Sequence, residues 1–130
     1  MTTDQFGLGE IGQIAINVRD LQRAVAFYRD TLGMRFLFEA PGGLAFFDAG
    51  GVRLMLGVAE KLEFSHPAST LYYRVPDIGA AYETLTGRGV EFIDEPHLIA
   101  KMPDHELWMT FFRDSEENVL ALMEERGTRT

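Results

Sequence analysis

Cysteine is absent from the 130 residues, which excludes disulfides, thiolate metal sites and a cysteine nucleophile. Basic residues are in deficit, with 12 Lys and Arg against 20 Asp and Glu. The resulting net charge of −8 argues against nucleic acid or anionic membrane as partners, since both recruit a basic face. No apolar run approaches the ~18 residues of a membrane span. The start, Met1-Thr2-Thr3-Asp4-Gln5, lacks the basic and apolar regions of a signal peptide, so the cytoplasm is the expected compartment. Also missing are a phosphate-binding loop, a Gly-x-Gly-x-x-Gly after a strand and a nucleophile-elbow serine. His105-Glu106 does not open a zincin motif, because Met109 stands where the second histidine belongs. Adjacent glutamates occur only as Glu116-Glu117 and Glu124-Glu125, which read as turn and tail charges outside any cleft.

What the chain does have is a 46% apolar content with ten Phe, enough to core one domain over residues 1–130, and an internal repeat. Ile14-Ala15-Ile16-Asn17-Val18-Arg19-Asp20-Leu21 recurs as Leu71-Tyr72-Tyr73-Arg74-Val75-Pro76-Asp77-Ile78. Val18 maps to Val75 at an offset of 57, and Phe36 to Phe92 at 56. A unit of that size buries too little surface alone, so the halves are expected to pack together and leave a shared cleft.

Repeat one spans about residues 11–58 and repeat two about 69–124, joined by a polar linker at 59–68 in which His66, beside Pro67, reads as a surface residue. Period-2 alternation predicts strands at 11–18 and 69–75. Asp20 and Asp77 stand at N-cap positions before helical spacings that run to about Leu32 and Arg88. Further strands are predicted at 34–39, 44–48 and 52–58, and in the second copy from 91–93 onward and at 119–124. Each unit is thus βαβββ. The offset then jumps to 65 at Phe47 and Phe112, so about nine extra residues lie between the second and third strands of the second copy. They predict an extended hairpin around 100–106, beside which His97 and His105 fall.

The run Phe27-Tyr28-Arg29-Asp30-Thr31-Leu32-Gly33, with Asp20 ahead of it after a strand, closely resembles the glyoxalase, bleomycin-resistance and extradiol-dioxygenase (vicinal oxygen chelate) superfamily. The resemblance covers nearly the full chain. It implies an α+β fold in which two tandem βαβββ modules form a curled, mixed, eight-stranded sheet around a concave cleft. It also implies a homodimer and, in many members, a divalent metal such as Fe, Mn, Ni or Zn. Carried over one by one, the ligand positions are Gln13, Leu54, Thr70 and Ala121, of which Leu54 and Ala121 offer no ligand and none is a carboxylate or imidazole, so no metal and no other cofactor is expected. Relatives also carry Asp-Pro-x-Gly-Asn in the last hairpin, whereas this chain reads Asp114-Ser115-Glu116-Glu117-Asn118. With Glu117 at the glycine position, the turn either strains by about 1 kcal/mol or changes type.

Strand parity places Gln13, Ala15 and Asn17 on the cleft face with Thr70, Tyr72 and Arg74, and Ile14, Ile16 and Val18 against the helices. Gln13, Asn17, Thr70, Tyr72 and Arg74 are therefore candidate ligand contacts. Arg74 suits a carboxylate or phosphate, with pairing to a local Glu or Asp as its alternative. In the hairpin, His105 with Glu106 or Asp104 forms a candidate general base oriented by a carboxylate, His97 is a second candidate catalytic imidazole, and Trp108 is a candidate stacking surface or a packing plug. Two functions follow. One is metal-independent binding of a small, partly aromatic, anionic molecule in a dimeric cleft, as in bleomycin-resistance-like sequestration. The other is a glyoxalase- or dioxygenase-type lyase or isomerase using His97 and His105, with or without a non-standard metal site.

Overall fold

Alternating side chains and two aspartate caps build the same unit twice. The structure, a computed structural model, describes residues 6–58 and 69–127, so the linker with His66 lies outside the described residues. The first module runs β1 (Gln13–Val18), α1 (Leu21–Ala26), β2 (Arg35–Ala40), β3 (Leu44–Ala49) and β4 (Val52–Val58). The second runs β5 (Leu71–Arg74), α2 (Ile78–Gly87), β6 (His97–Lys101), β7 (His105–Arg113) and β8 (Val119–Gly127). The eight strands divide into two four-stranded mixed sheets, ordered β1-β4-β3-β2 and β5-β8-β7-β6, with the first and last strand of each module parallel. No helix among the described residues is long and apolar enough to cross a membrane.

Both helices start as the caps dictate: Asp20 accepts from the Arg23 amide at 3.1 Å and Asp77 from the Ala80 amide at 3.0 Å. They differ by one residue. After Ala26 the first helix widens into a π turn over Phe27–Thr31, where the Leu32 amide reaches back five residues to the Phe27 carbonyl at 2.9 Å. A π turn holds one residue more than the α turn it replaces. That extra residue is why the repeat offset slips from 57 at the caps to 56 at Gly33 and Gly89, whose φ values of +73° and +90° end the helices.

The helix-covered faces of both sheets share one core. Ile16, Val25, Tyr28, Phe47, Leu54 and Leu56 from the first module join Ile78, Phe112, Leu120 and Leu122 from the second. The halves are pinned by the β7–β8 hairpin. Tyr28 donates to Asp114 at 2.6 Å, the Asn118 amide side chain donates to the Asn17 carbonyl at 3.3 Å, and Glu116 receives the Arg19 and Asp20 amides at 2.9 and 3.0 Å. Arg88 adds a bond to the Thr31 carbonyl at 2.9 Å.

Three expectations need correcting. The strand at 91–93 reduces to a single bridge between Phe92 and Phe112, and the extra residues are spent on a crossing segment before β6 as well as on the β6–β7 hairpin. The counterpart of Leu54 is Leu120, not Ala121, because Ile14 pairs with Leu54 as Leu71 pairs with Leu120. Finally, Glu116 is no solvated turn charge, for its side chain is only 1% exposed.

The last hairpin keeps its turn and carries strain. Glu117 has φ +68°, the one non-glycine with positive φ among the described residues. Replacing Glu117 by Gly is expected to raise the urea midpoint by the equivalent of about 0.5–1 kcal/mol, after allowing for the freer unfolded chain. The ion pair lost with Arg19 is long, at 3.6 Å, and joins two exposed side chains, so it offsets little. A lower midpoint would show that the turn is relaxed with Glu117 in place.

Candidate functional site

Each sheet buries one face under its helix and leaves the other open. On the first sheet the register of β1 with β4 sets Gln13, Ala15 and Asn17 beside Arg53, Met55 and Gly57, all turned away from the core. The same face receives Phe46 from β3 and Phe38 from β2, whose rings stack at 4.7 Å with 27° between planes. The Arg53 guanidinium lies 5.6 Å from the Phe46 ring centre and has no carboxylate partner among the described residues. Gln13 makes only a weak contact to the Met55 sulfur, at 3.7 Å. Arg53, Phe38 and Phe46 were missed by sequence reasoning. The signal available for Arg53 was its partnership with Gln13, which pairing of the first and fourth strands requires.

On the second sheet Tyr72 and Arg74 share the open face with Ala121, Met123 and Glu125 of β8 and with His105, Met109 and Phe111 of β7. Tyr72 meets Phe111 edge to face at 6.0 Å. Thr70, half-buried, lies just before β5. Arg74 takes its local alternative, an ion pair with Glu125 at 2.8 Å. The other oxygen of Glu125 is 3.4 Å from His105 Nε2, and His105 Nδ1 is 2.7 Å from Asp104. Asp104, His105, Glu125 and Arg74 thus form a continuous chain of charge-bearing groups along one end of the open face. The hydrogen bond with His105 holds the Asp104 carboxyl below its ordinary range. Glu125 is therefore a site-face residue rather than a tail charge.

Strand alternation separates the other hairpin candidates. Glu106 and Trp108 are one and three residues beyond His105, so their side chains project to the helix-covered side. There the Trp108 indole donates to Glu106 at 3.0 Å, lies under the Arg126 guanidinium at 4.5 Å, and packs against the core. Glu106 does not orient His105; Asp104 and Glu125 flank it instead. His97 stays on the His105 face but opposite Met109, with Nδ1 at 2.8 Å from the Glu95 carbonyl.

The divalent metal of the resembling family finds no matching donors. Leu54 is buried in the core at 1% exposure, and in the corrected register the open-face counterparts on β4 and β8 are Met55 and Ala121. Gln13, Met55, Thr70 and Ala121 supply two neutral oxygens between them and no carboxylate or imidazole, which does not fit a divalent ion. No group of three His, Asp or Glu able to hold a metal occurs among the described residues.

A duplicated βαβββ chain whose sheets keep open, partly aromatic faces defines a class of scaffold rather than a chemistry. The sequence profile of the Glyoxalase/Bleomycin resistance protein/Dioxygenase superfamily matches residues 10–122, and the chain belongs to that superfamily. A protein of Didymella fabae described as glyoxylase-like domain-containing is 29% identical over 92% of this chain and 96% of its own length. The uncharacterized protein YetH of Bacillus subtilis is 28% identical over 88% and 98%. Among solved structures, a superfamily member from Sphaerobacter thermophilus superposes with a TM-score of 0.76 at 27% identity, over 91% of this chain and 98% of that one. A lactoylglutathione lyase from Agrobacterium tumefaciens gives 0.70 at 21% identity over 90% and 94%, a likeness of fold alone.

Proposed function

We propose that this protein binds a small, partly aromatic, anionic molecule between open sheet faces, in a cleft completed by a second copy, without a metal, as a sequestering protein of the bleomycin-resistance kind. The observation that carries this reading is the Phe38–Phe46 stack with Arg53 beside it, which makes no ion pair among the described residues although Asp48 stands opposite it on β3, on a face whose strand positions offer no metal ligands. An aromatic ring adds to that stack, and its carboxylate reaches the guanidinium. Pairing of two copies suits the apolar groups those faces leave in water, such as Phe38 at 46% and Tyr72 at 49% exposure. Gln13, Asn17, Thr70 and Tyr72 line the remainder of the faces.

A second reading rests on His105, whose two nitrogens face Asp104 and Glu125. An imidazole held between two carboxylates is a positioned proton-transfer group, and it supports a lyase or isomerase in which His105 and Glu125 together relay a proton.

Equilibrium dialysis against 2-naphthoate, before and after chelator treatment, tests the first reading. Arg53→Met is expected to weaken binding by about 1–2 kcal/mol, and chelation to leave it unchanged. Sedimentation is expected at twice the 14.6 kDa chain mass. Binding that survives Arg53→Met, or that is lost with a stoichiometric metal, would remove the reading, and a monomer would remove the shared cleft.

A further inference from the structure

The two modules are filled differently beneath their helices. In the first, the π turn presents Phe27 and Tyr28, with ring centres 5.7 Å apart, and Tyr28 packs on Phe47 at 6.0 Å with no exposure at all. Counted from the cap and from the terminal glycine, the positions of α2 that match Tyr28 are Leu85 and Thr84, and neither is aromatic. On that side a cavity of about 480 Å³ opens between α2, β5 and the end of the first module's helix, within the ~300–1,000 Å³ range of small-molecule sites. Leu32 and Met34 reach it from the first module, and Ala81, Leu85, Phe112 and Leu122 from the second.

Its charged lining is unequal. Arg74 is paired with Glu125, and the Asp77 carboxylate caps α2. Arg88, exposed at the opening, spends one N–H on the Thr31 carbonyl and has no carboxylate partner among the described residues. Tyr73 lines the wall, and burial pushes its phenol up to about 12, so this residue adds no charge at ordinary pH. The cavity thus combines an apolar body with one available cation at its mouth.

We propose that this cavity is a second small-molecule site, separate from the open sheet faces, which takes an apolar monocarboxylate: its hydrocarbon part lies against Leu32, Met34, Leu85 and Phe112, and its carboxylate on Arg88. A bidentate carboxylate bond uses N–H groups that the Thr31 carbonyl leaves over. The chain is acidic as a whole, so selectivity for an anion rests on this local cation and not on the field of the protein.

Octanoate, an aliphatic monoanion, is the probe, titrated into the full chain by calorimetry and followed by the NMR shift of its carboxyl carbon. The expected result is one octanoate per chain, at least tenfold weaker binding in Ala81→Leu, which fills the cavity, and at least fivefold weaker binding in Arg88→Gln. Octanol is expected to bind wild type and Arg88→Gln equally. Arg53→Met, which removes the cation of the first sheet's open face, separates this site from the one proposed above: octanoate is expected to bind that variant as it binds wild type. Absence of octanoate binding at millimolar concentration, wild-type affinity in Ala81→Leu, or loss of binding in Arg53→Met would each overturn the proposal. Because Arg88 also joins the modules, folding of its variant is checked by thermal denaturation, and Ala81→Leu carries the test alone if Arg88→Gln unfolds.

Discussion

Glu116→Gln is expected to cost about 2–3 kcal/mol at neutral pH, and that cost is expected to fade as the pH drops toward 2. Burial alone would raise this carboxyl. The side chain of Arg23, at 2.7 and 3.1 Å, the amides of Asp20 and Arg19 and the Ser115 hydroxyl outweigh burial and bring it down to about 2, against 4.5 when free. Between those values the folded chain holds fewer protons than the unfolded chain. The stabilisation is therefore complete above about pH 5 and is lost as the pH falls through 4.5 toward 2. A shift of this size is worth roughly 3 kcal/mol, trimmed here because Arg23 is half exposed. Urea titrations of both proteins from pH 2 to 7 separate Glu116 from the other carboxylates, since those titrate alike in both. Parallel stability curves would show that the Glu116 charge contributes nothing, and coincident curves that its contacts contribute nothing.

The same contacts bear on function through geometry. Glu116 occupies the N-terminal end of α1, where two backbone amides lack helical partners, and reaches it from the hairpin of the other module. Asn118, two residues on, binds the Asn17 carbonyl at the end of β1. Together with the shared core and the Arg88–Thr31 bond, this five-residue turn sets the relative placement of the two open faces, and a variant that loosens it is expected to disturb both faces together.

How much of this was legible in the sequence depends on how far a residue's role reaches. Asp20 and Asp77 were readable as caps because a cap bonds an amide three residues away. The parity of β1 was readable because alternation is local. The slip of the repeat from 57 to 56 was visible, but its cause, a π turn at Phe27, was not, since nothing in residue type distinguishes a widened turn. The register of β8 was misread by one because the β7–β8 hairpin is one residue longer than its counterpart, whereas the aligned valines suggested two. Glu116 and Glu125 looked like surface charges because their partners, Arg23 and Arg74, lie 93 and 51 residues away. Trp108 and Glu106 were assigned to the site by their nearness to His105 in sequence. Strand alternation sends odd and even neighbours to opposite faces, and parity outranks proximity.

Tyr28→Ala is expected to be the most damaging single substitution in the chain, at about 4–6 kcal/mol, whereas Tyr28→Phe is expected to cost about 1.5–3. The ring is fully buried between Phe27 and Phe47, so its removal leaves a cavity in the core shared by both modules. The hydroxyl does separate work. Burial and the nearby Asp114 charge push the phenol well above its ordinary pKa, so it remains a donor, and its bond to Asp114 is short at 2.6 Å. Asp114 also accepts from the Glu116 and Asn118 amides at 2.8 Å and from the Asn118 side chain at 3.0 Å. Removing the hydroxyl takes one of four donors from a buried carboxylate and leaves the hairpin turn intact, while removing the ring also unseats the helix from β3. Denaturant midpoints for wild type, Tyr28→Ala, Tyr28→Phe, Asp114→Asn and the Tyr28→Phe/Asp114→Asn double variant resolve the two parts, and the cycle formed by the last three with wild type is expected to show a coupling of about 1–2 kcal/mol between Tyr28 and Asp114. Equal losses in the Phe and Ala variants would mean that the ring packs no better than solvent, and zero coupling would mean that the hydroxyl does not hold the hairpin to the helix.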